Sequence, residues 1–349
     1  MTSERWIEPV GLLHGPVAFQ AVRDGHALPL AGGPSAFTLV RLICDGEDLG
    51  LHPPRELGDE WEALLSAATR RPLPLAGLPV DRPLVMGILN VTPDSFSDGG
   101  QRMEAGAAIA AGHAMLDQGA DILDIGGEST RPGAAPLSAE EEMARILPVV
   151  RELSKAAVVS VDTRHPATMQ AALEAGAEII NDISALRQDP RSARLVKESR
   201  APVVLMHMPA LDLKAMHAAT RYDDVVLDVA RFLRQRVETA EALGIQRGRI
   251  VVDPGLGFGK TVEQNLRLMN RLPLLAGIGC RVLVGASRKR FVGTISGVEQ
   301  AERRLAGSLA VALAGASLGA SILRVHDVAE TVQALRLWQA CAKGRAEEG

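Results

Sequence analysis

The sequence predicts an α/β protein, a (β/α)8 TIM barrel preceded by an N-terminal extension. Three observations carry that prediction. From Pro83 onward short apolar runs alternate with helical patterns about every thirty residues. Eight such pairs can be read, whereas a doubly wound sheet, the alternative, more often stops at about five or six strands. The polar residues with chemical potential fall at or just past the ends of the apolar runs, where barrel enzymes build their sites.

Residues 1–82 form the extension and residues 83–343 the barrel. The extension reads as irregular, with prolines at 9, 16, 29, 34, 53, 54, 72, 74 and 79. Within it, Ala36 to Cys44 is rich in strand formers, and Asp59 to Arg70 has the early acids and late arginine of a short helix. The prolines at 72, 74, 79 and 83 suggest a linker. In the barrel the expected strands are Leu84–Val91, Asp121–Ile125, Val158–Val161, Glu178–Asn181, Val203–Met206, Ile250–Val252, Arg281–Val284 and Ser321–Val325. The expected helices cover 104–118, 139–154, 166–175, 190–199, 224–243, 262–271, 299–319 and 327–341.

Composition narrows the function classes. With 349 residues, 47% hydrophobic and 23% charged, the chain has material for one large core or two modest ones. A net charge of −4 provides no bulk field for a polyanion, so nucleic acid is not expected as a partner. Cys44, Cys280 and Cys341 are far apart and odd in number, which fits a reducing cytoplasm. Met1 to His14 lacks the basic start and apolar run of a signal peptide. The uncharged stretch Leu305 to Leu323 is Ala-, Gly- and Ser-rich, the composition of a buried helix rather than a membrane span.

The chemistry concentrates after the strands. Residues 88–100, ILNVTPDSFSDGG, make a connection much longer than a tight βα turn, with Asn90 at its root. DIGGESTRPGA, 124–134, combines glycines with Thr130 and Arg131, suited to phosphate oxygens. SVDTR (160–164), IINDIS (179–184) and VVDPGLGFGK (251–260) bring carboxylates and an amide to one mouth. That set suits a flat heterocycle with adjacent N–H donors. It equally suits a divalent cation held by Asp124, Asp162 and Asp253, and the residues alone leave both readings open. GASRKRF (285–291) and RVHD (324–327) add Arg288, Lys289, Arg290, Arg324 and His326, a local anion site on the last two loops.

Together these seven motifs, in this order, resemble dihydropteroate synthase, and the resemblance spans Leu84 to Ala342. It implies condensation of (7,8-dihydropterin-6-yl)methyl diphosphate with 4-aminobenzoate, giving 7,8-dihydropteroate and diphosphate in folate biosynthesis, and inhibition by sulfonamides. It implies Asp162, Asn181, Asp253 and Lys289 on the pterin edge, Met206 and Phe258 lining the pocket, and Arg324 against the ring. Asn90 would hold Mg2+ with the diphosphate, whose oxygens would meet Thr130, Arg131, Arg324 and His326. Asp162, Lys289 and Arg131 would be the catalytic residues. Loops 92–103 and 128–137 would close over the reaction, with Phe96 and Pro132 as walls of the aminobenzoate site. Arg290 stands where members often carry serine. A homodimer through the helix Ala306 to Ala320 and the segment Asp327 to Ala342 is also implied. Two other readings are a pterin-binding methyltransferase, which has no need of the STRPG and SRK motifs, and a non-catalytic pterin-binding homologue.

Overall fold

The computed structural model describes residues 3–91, 101–128, 137–212 and 220–344. Eight parallel strands close into a barrel: β5 (Leu84–Asn90), β6 (Ile122–Gly126), β7 (Val158–Asp162), β8 (Ile179–Asp182), β9 (Val203–Met206), β10 (Ile250–Asp253), β11 (Arg281–Val284) and β12 (Ile322–Val325). Strand β12 pairs back onto β5, Leu323 opposite Val85, so the sheet has no free edge. The outer helices are α3 (Gln101–Asp117), α4 (Ala139–Leu153), α5 (Pro166–Glu174), α6 (Pro190–Ser199), α7 (Val225–Ala242), α8 (Val262–Asn270), α9 (Arg290–Ser296), α10 (Leu305–Ser317) and α11 (Val328–Lys343). Local chemistry sets their starts. Ser138 and Thr261 each form a capping box with the residue three positions on, and Asp189 and Asp224 cap α6 and α7 through their carboxylates.

The expected helix over 299–319 is shorter than its composition suggested. A 3-10 turn at Ala301–Arg303 precedes it, and α10 starts only at Leu305, because the Arg304 side chain turns back to bond the carbonyls of Arg288, Val298 and Glu299. Among the described residues no helix is long and apolar enough to cross a membrane.

Strand periodicity builds the barrel interior in layers. Leu84, Met86, Ile122, Ile179, Val204, Val251, Leu283 and Ile322 form one buried apolar cluster inside the ring, with Val158 packed against it. Two residues further along, the inward positions turn polar on several strands: Asp124 after Ile122, Ser160 after Val158, Asn181 after Ile179, Asp253 after Val251 and Arg324 after Ile322.

The extension is more ordered than its prolines suggested. Strands β1 (Arg5–Leu13), β2 (Leu28–Pro29), β3 (Ala36–Cys44) and β4 (Glu47–His52) form an antiparallel sheet centred on β3, with helices α1 (Gly15–Arg23) and α2 (Glu62–Thr69). Pro9 is tolerated because β1 is an edge strand, paired only with β3. Ile7, Phe37, Val40, Leu42 and Trp61 make its own core, which meets the barrel at Ala276 within the buried turn Leu272–Ile278. Ion pairs from Arg231 and Arg234 to Glu4 and from Arg271 to Glu8 tie it further, and the Arg234 guanidinium stacks 3.7 Å from the Trp6 ring.

The proline-rich segment expected as a linker packs instead as part of the barrel. Leu75 bridges Leu78 in a tight turn, is 1% exposed, and joins the apolar layer that closes the bottom of the ring.

Candidate active site

The mouth is organised around Asp124, at the inward phase of β6. Its side chain is fully buried. The carboxylate accepts hydrogen bonds from Ser160 Oγ at 2.6 Å, Asn181 Nδ2 at 3.0 Å and Arg324 Nε at 2.6 Å. Arg324 donates its other arm, Nη2, to Asp162 Oδ2 at 2.8 Å. One guanidinium thus joins strands β6, β7 and β12, satisfying two carboxylates whose mutual repulsion would otherwise splay the rim.

The positive charge that Asp124 and Asp162 share belongs to Arg324, and Asp253 Oδ1 accepts the Gly255 N–H at 2.7 Å. Among the described residues no group of three His, Cys, Asp or Glu is placed to hold a metal ion.

Asp162 and Asp253 end β7 and β10, Asn181 lies next to the last residue of β8, and both carboxylates are near enough to Lys289 to act on its charge. Burial pushes Asp162 up to about 7, Arg324 opposing and Asp124 assisting. Burial also raises Asp253, against its bond from Gly255 and the nearby Lys289. The Lys289 ammonium is driven down by burial to about 8, with Asp253 pulling the other way. It lies 4.0 Å from the Phe258 ring centroid, a cation–π contact that fixes both side chains. Met206 and Phe258 pack with Ile183, Met208 and Leu211 as the apolar wall.

The loop after β10 needs glycine twice. A Cβ on Gly255 would sit 2.0 Å from the His207 carbonyl oxygen, and one on Gly257 would lie 2.9 Å from Lys289 Cδ. Both backbones have positive φ, 65° and 80°. Lys260 closes this loop from beneath: its ammonium donates to the Gly255 and Phe258 carbonyls at 2.8 and 3.0 Å and lies 2.9 Å from His207 Nδ1. Burial pushes Lys260 down to about 7, and burial together with Lys260 and Arg187 holds His207 well below the ordinary histidine range.

The basic cluster separates into different jobs. Arg324 spans Asp124 and Asp162, rather than standing free for an anion. Arg288 pairs with Asp327. Arg290 is exposed at the start of α9. His326 Nδ1 lies 3.0 Å from Ser287 Oγ, and burial, with Arg288 and Arg324 near, pushes it down to about 4, so it is a neutral hydrogen-bonding group. Asn90 ends β5 at the rim, half-buried. Phe96, Thr130, Arg131 and Pro132 lie outside the described residues.

Two contributors were not assigned by motif reading. The motifs offer Asp124 as a strand-end carboxylate and a candidate cation ligand, not as the partner of Arg324; its place two residues after the inward Ile122 is the signal for the inward position. Lys260 was visible as the end of VVDPGLGFGK, but nothing in the linear spacing pairs it with His207.

Comparison with known proteins agrees with this geometry. Residues 86–326 match the family described as Pterin binding enzyme. The Dihydropteroate synthase of Neisseria meningitidis serogroup C is 46% identical over 265 residues, covering 75% of this chain and 93% of the relative. Among solved structures, Xanthomonas albilineans Dihydropteroate synthase with 4-aminobenzoic acid superposes with a TM-score of 0.72 at 52% identity, covering 76% of this chain and 94% of that one. The same enzyme in complex with 7,8-dihydropteroate gives 0.69 at 49%, covering 76% and 95%. On these matches the chain belongs to the dihydropteroate synthase family, and its activity is the joining of 4-aminobenzoate to (7,8-dihydropterin-6-yl)methyl diphosphate with release of diphosphate.

Proposed function

We propose that the polar layer of the barrel mouth is the pterin site of this synthase and that its residues divide the work as follows. Asp162, Asn181, Asp253 and Lys289 hydrogen-bond the edge of the heterocycle, Met206 and Phe258 line its pocket, and Arg324 packs against the ring while keeping Asp162 in place. The observation that carries this reading is the Arg324 bridge between Asp124 and Asp162, with Asn181 on the same carboxylate. It ties donors and acceptors to one another before any ligand arrives, the preorganisation that catalysis by electrostatics requires.

Diphosphate departure leaves positive charge on the pterin methylene. Asp162 stabilises it as a nearby carboxylate, and the aniline nitrogen of 4-aminobenzoate attacks without a covalent enzyme intermediate. Thr130, Arg131 and His326 bind the leaving diphosphate; His326, neutral and tied to Ser287, does so as a hydrogen-bonding group rather than a cation. Loops 92–103 and 128–137 exclude water from the cation, with Phe96 and Pro132 beside the aminobenzoate. Sulfonamides, as aminobenzoate mimics, inhibit at the same place.

Asn90 offers one neutral oxygen at the rim, which fits Mg2+, an ion that takes few protein ligands and completes its shell with water and phosphate oxygens. When bound there, the ion neutralises charge developing on the leaving diphosphate. Two copies pair through α10 and α11; the exposed face of α10, Ala306, Ala310 and Ala314, carries no charge to oppose it.

The test is diphosphate release and dihydropteroate formation by purified protein, with and without 4-aminobenzoate. Product that depends on aminobenzoate, weakened pterin binding in Lys289→Ala and slowed diphosphate release in Arg131→Ala are the expected results. Near-normal kinetics in both variants would overturn the division of roles.

A further inference from the structure

At the opposite end of the barrel, the extension and the barrel bottom enclose a narrow, half-open cleft. One wall comes from the extension, with Leu30, Pro34 and Ser35. The other comes from the barrel, with Ser321 and Trp338. The two sides are fitted closely, since a Cβ on Gly319 would lie 2.8 Å from Leu30 Cδ2. The Neisseria meningitidis relative is matched over 93% of its own length while covering 75% of this chain, and the family match begins at residue 86. A cleft built on Leu30 to Ser35 is therefore a property of the extension and not of the shared catalytic barrel.

The cleft contains an electrostatic imbalance. Its lining includes two guanidiniums, Arg82 and Arg281, and no carboxylate. Arg82 is satisfied by Asp121 at 2.6 Å. Arg281 is 3% exposed, on the inward phase of β11 two residues before Leu283. Its Nη2 donates to the Leu73 carbonyl at 2.7 Å, its buried Nε has no hydrogen-bond partner, and no carboxylate among the described residues forms an ion pair with it. By contrast, the guanidiniums of Arg271 and Arg324 each meet a carboxylate within 3 Å. A buried cation left without a counter-charge is costly, and an incoming anion would recover that cost. Burial alone already pushes the Arg281 guanidinium down to about 10.

We propose that this cleft binds a small organic carboxylate, its oxygens on Arg281 and its apolar body against Leu30, Pro34 and Trp338. The site lies at the bottom of the barrel, across the apolar layer of Leu75, Leu283 and Ile322 from the catalytic mouth. The oxygens meet a fork of donors with spare capacity, and the walls around it are apolar, so both a charged end and a hydrophobic body are recognised.

The test uses the full chain, with cyclohexanecarboxylate as probe, its neutral amide as control and inorganic phosphate as a bare oxyanion. The readout is the Arg281 Nε–Hε resonance, identified by its loss in Arg281→Lys. We expect a saturable shift with the carboxylate, at least about tenfold weaker binding of the amide and of phosphate, and loss of the carboxylate-induced thermal stabilisation in Arg281→Met. A second variant keeps the arginine: Ser321 donates its N–H to the Val282 carbonyl, next to Arg281, so Ser321→Asp supplies an internal counter-ion. It should raise the melting temperature, abolish probe binding and leave dihydropteroate formation unchanged. An unmoved Arg281 resonance, equal binding of the amide, phosphate binding as tightly as the carboxylate, or undiminished binding in Ser321→Asp would each overturn the proposal.

Discussion

Arg324 and Arg281 sit on neighbouring strands of one barrel, both on the inward phase, at opposite ends. Arg324 is held between two carboxylates, while Arg281 has only the Leu73 carbonyl. At the mouth, one guanidinium pairs with carboxylates from two other strands, so the polar layer is cross-linked where it is buried. At the bottom, an apolar layer and an added sheet bury a cation without compensation. The two ends of a barrel thus answer to different demands, electrostatic preorganisation at one and closure at the other, and substitutions should separate them.

The largest effect should come from Asp124→Ala. It strips Arg324, Asn181 and Ser160 of their common acceptor, and breaking a buried pair costs about 3–5 kcal/mol. Denaturant unfolding should show that loss, and dihydropteroate formation should fall with it. At the other end, Leu75→Ala should cost about 2–5 kcal/mol by leaving a cavity in the apolar layer, yet the folded fraction should turn over normally. Equal damage to KM for the pterin substrate from both changes would show that the two ends are not independent.

A third contrast is in pH. Lys289 is protonated below about 8 and neutral above it, so it donates fully to the heterocycle only on the acid side. The kcat/KM profile, which reports the free enzyme, should decline as pH rises through that value, and Lys289→Arg should move the decline upward. The smallest effect is expected from Glu4→Ala. Its partners Arg231 and Arg234 are partly exposed, and such pairs are worth about 0–1 kcal/mol, so the melting temperature should barely move and activity should not.

The barrel was readable because its signals are local. Val203–Met206 and Arg281–Val284 coincide with the apolar runs that predicted them, and the Ala36–Cys44 strand of the extension does as well. Strand β1 was not readable: Pro9 and Gly11 interrupt RWIEPVGLL, and only pairing with β3 shows that an edge position tolerates the first and that the second takes positive φ. Leu75 was hidden among the prolines of an expected linker because the apolar layer it joins is assembled from strands all around the barrel, far from it in sequence.

For the site, alternation along each strand and the position of polar residues at strand ends determined which residues gather at the mouth, since period two and a closed parallel ring leave little choice of direction. Which of them pair was decided only in three dimensions. Asp124 and Arg324 are 200 positions apart, and Lys260 and His207 are 53. Arg281 and Arg324 carry the same side chain on adjacent strands, and nothing in the linear text distinguishes the paired one from the unpaired one. That distinction depends on which carboxylates the closed barrel brings within reach, because an ion pair is set by distance and burial rather than by the order of residues in the chain.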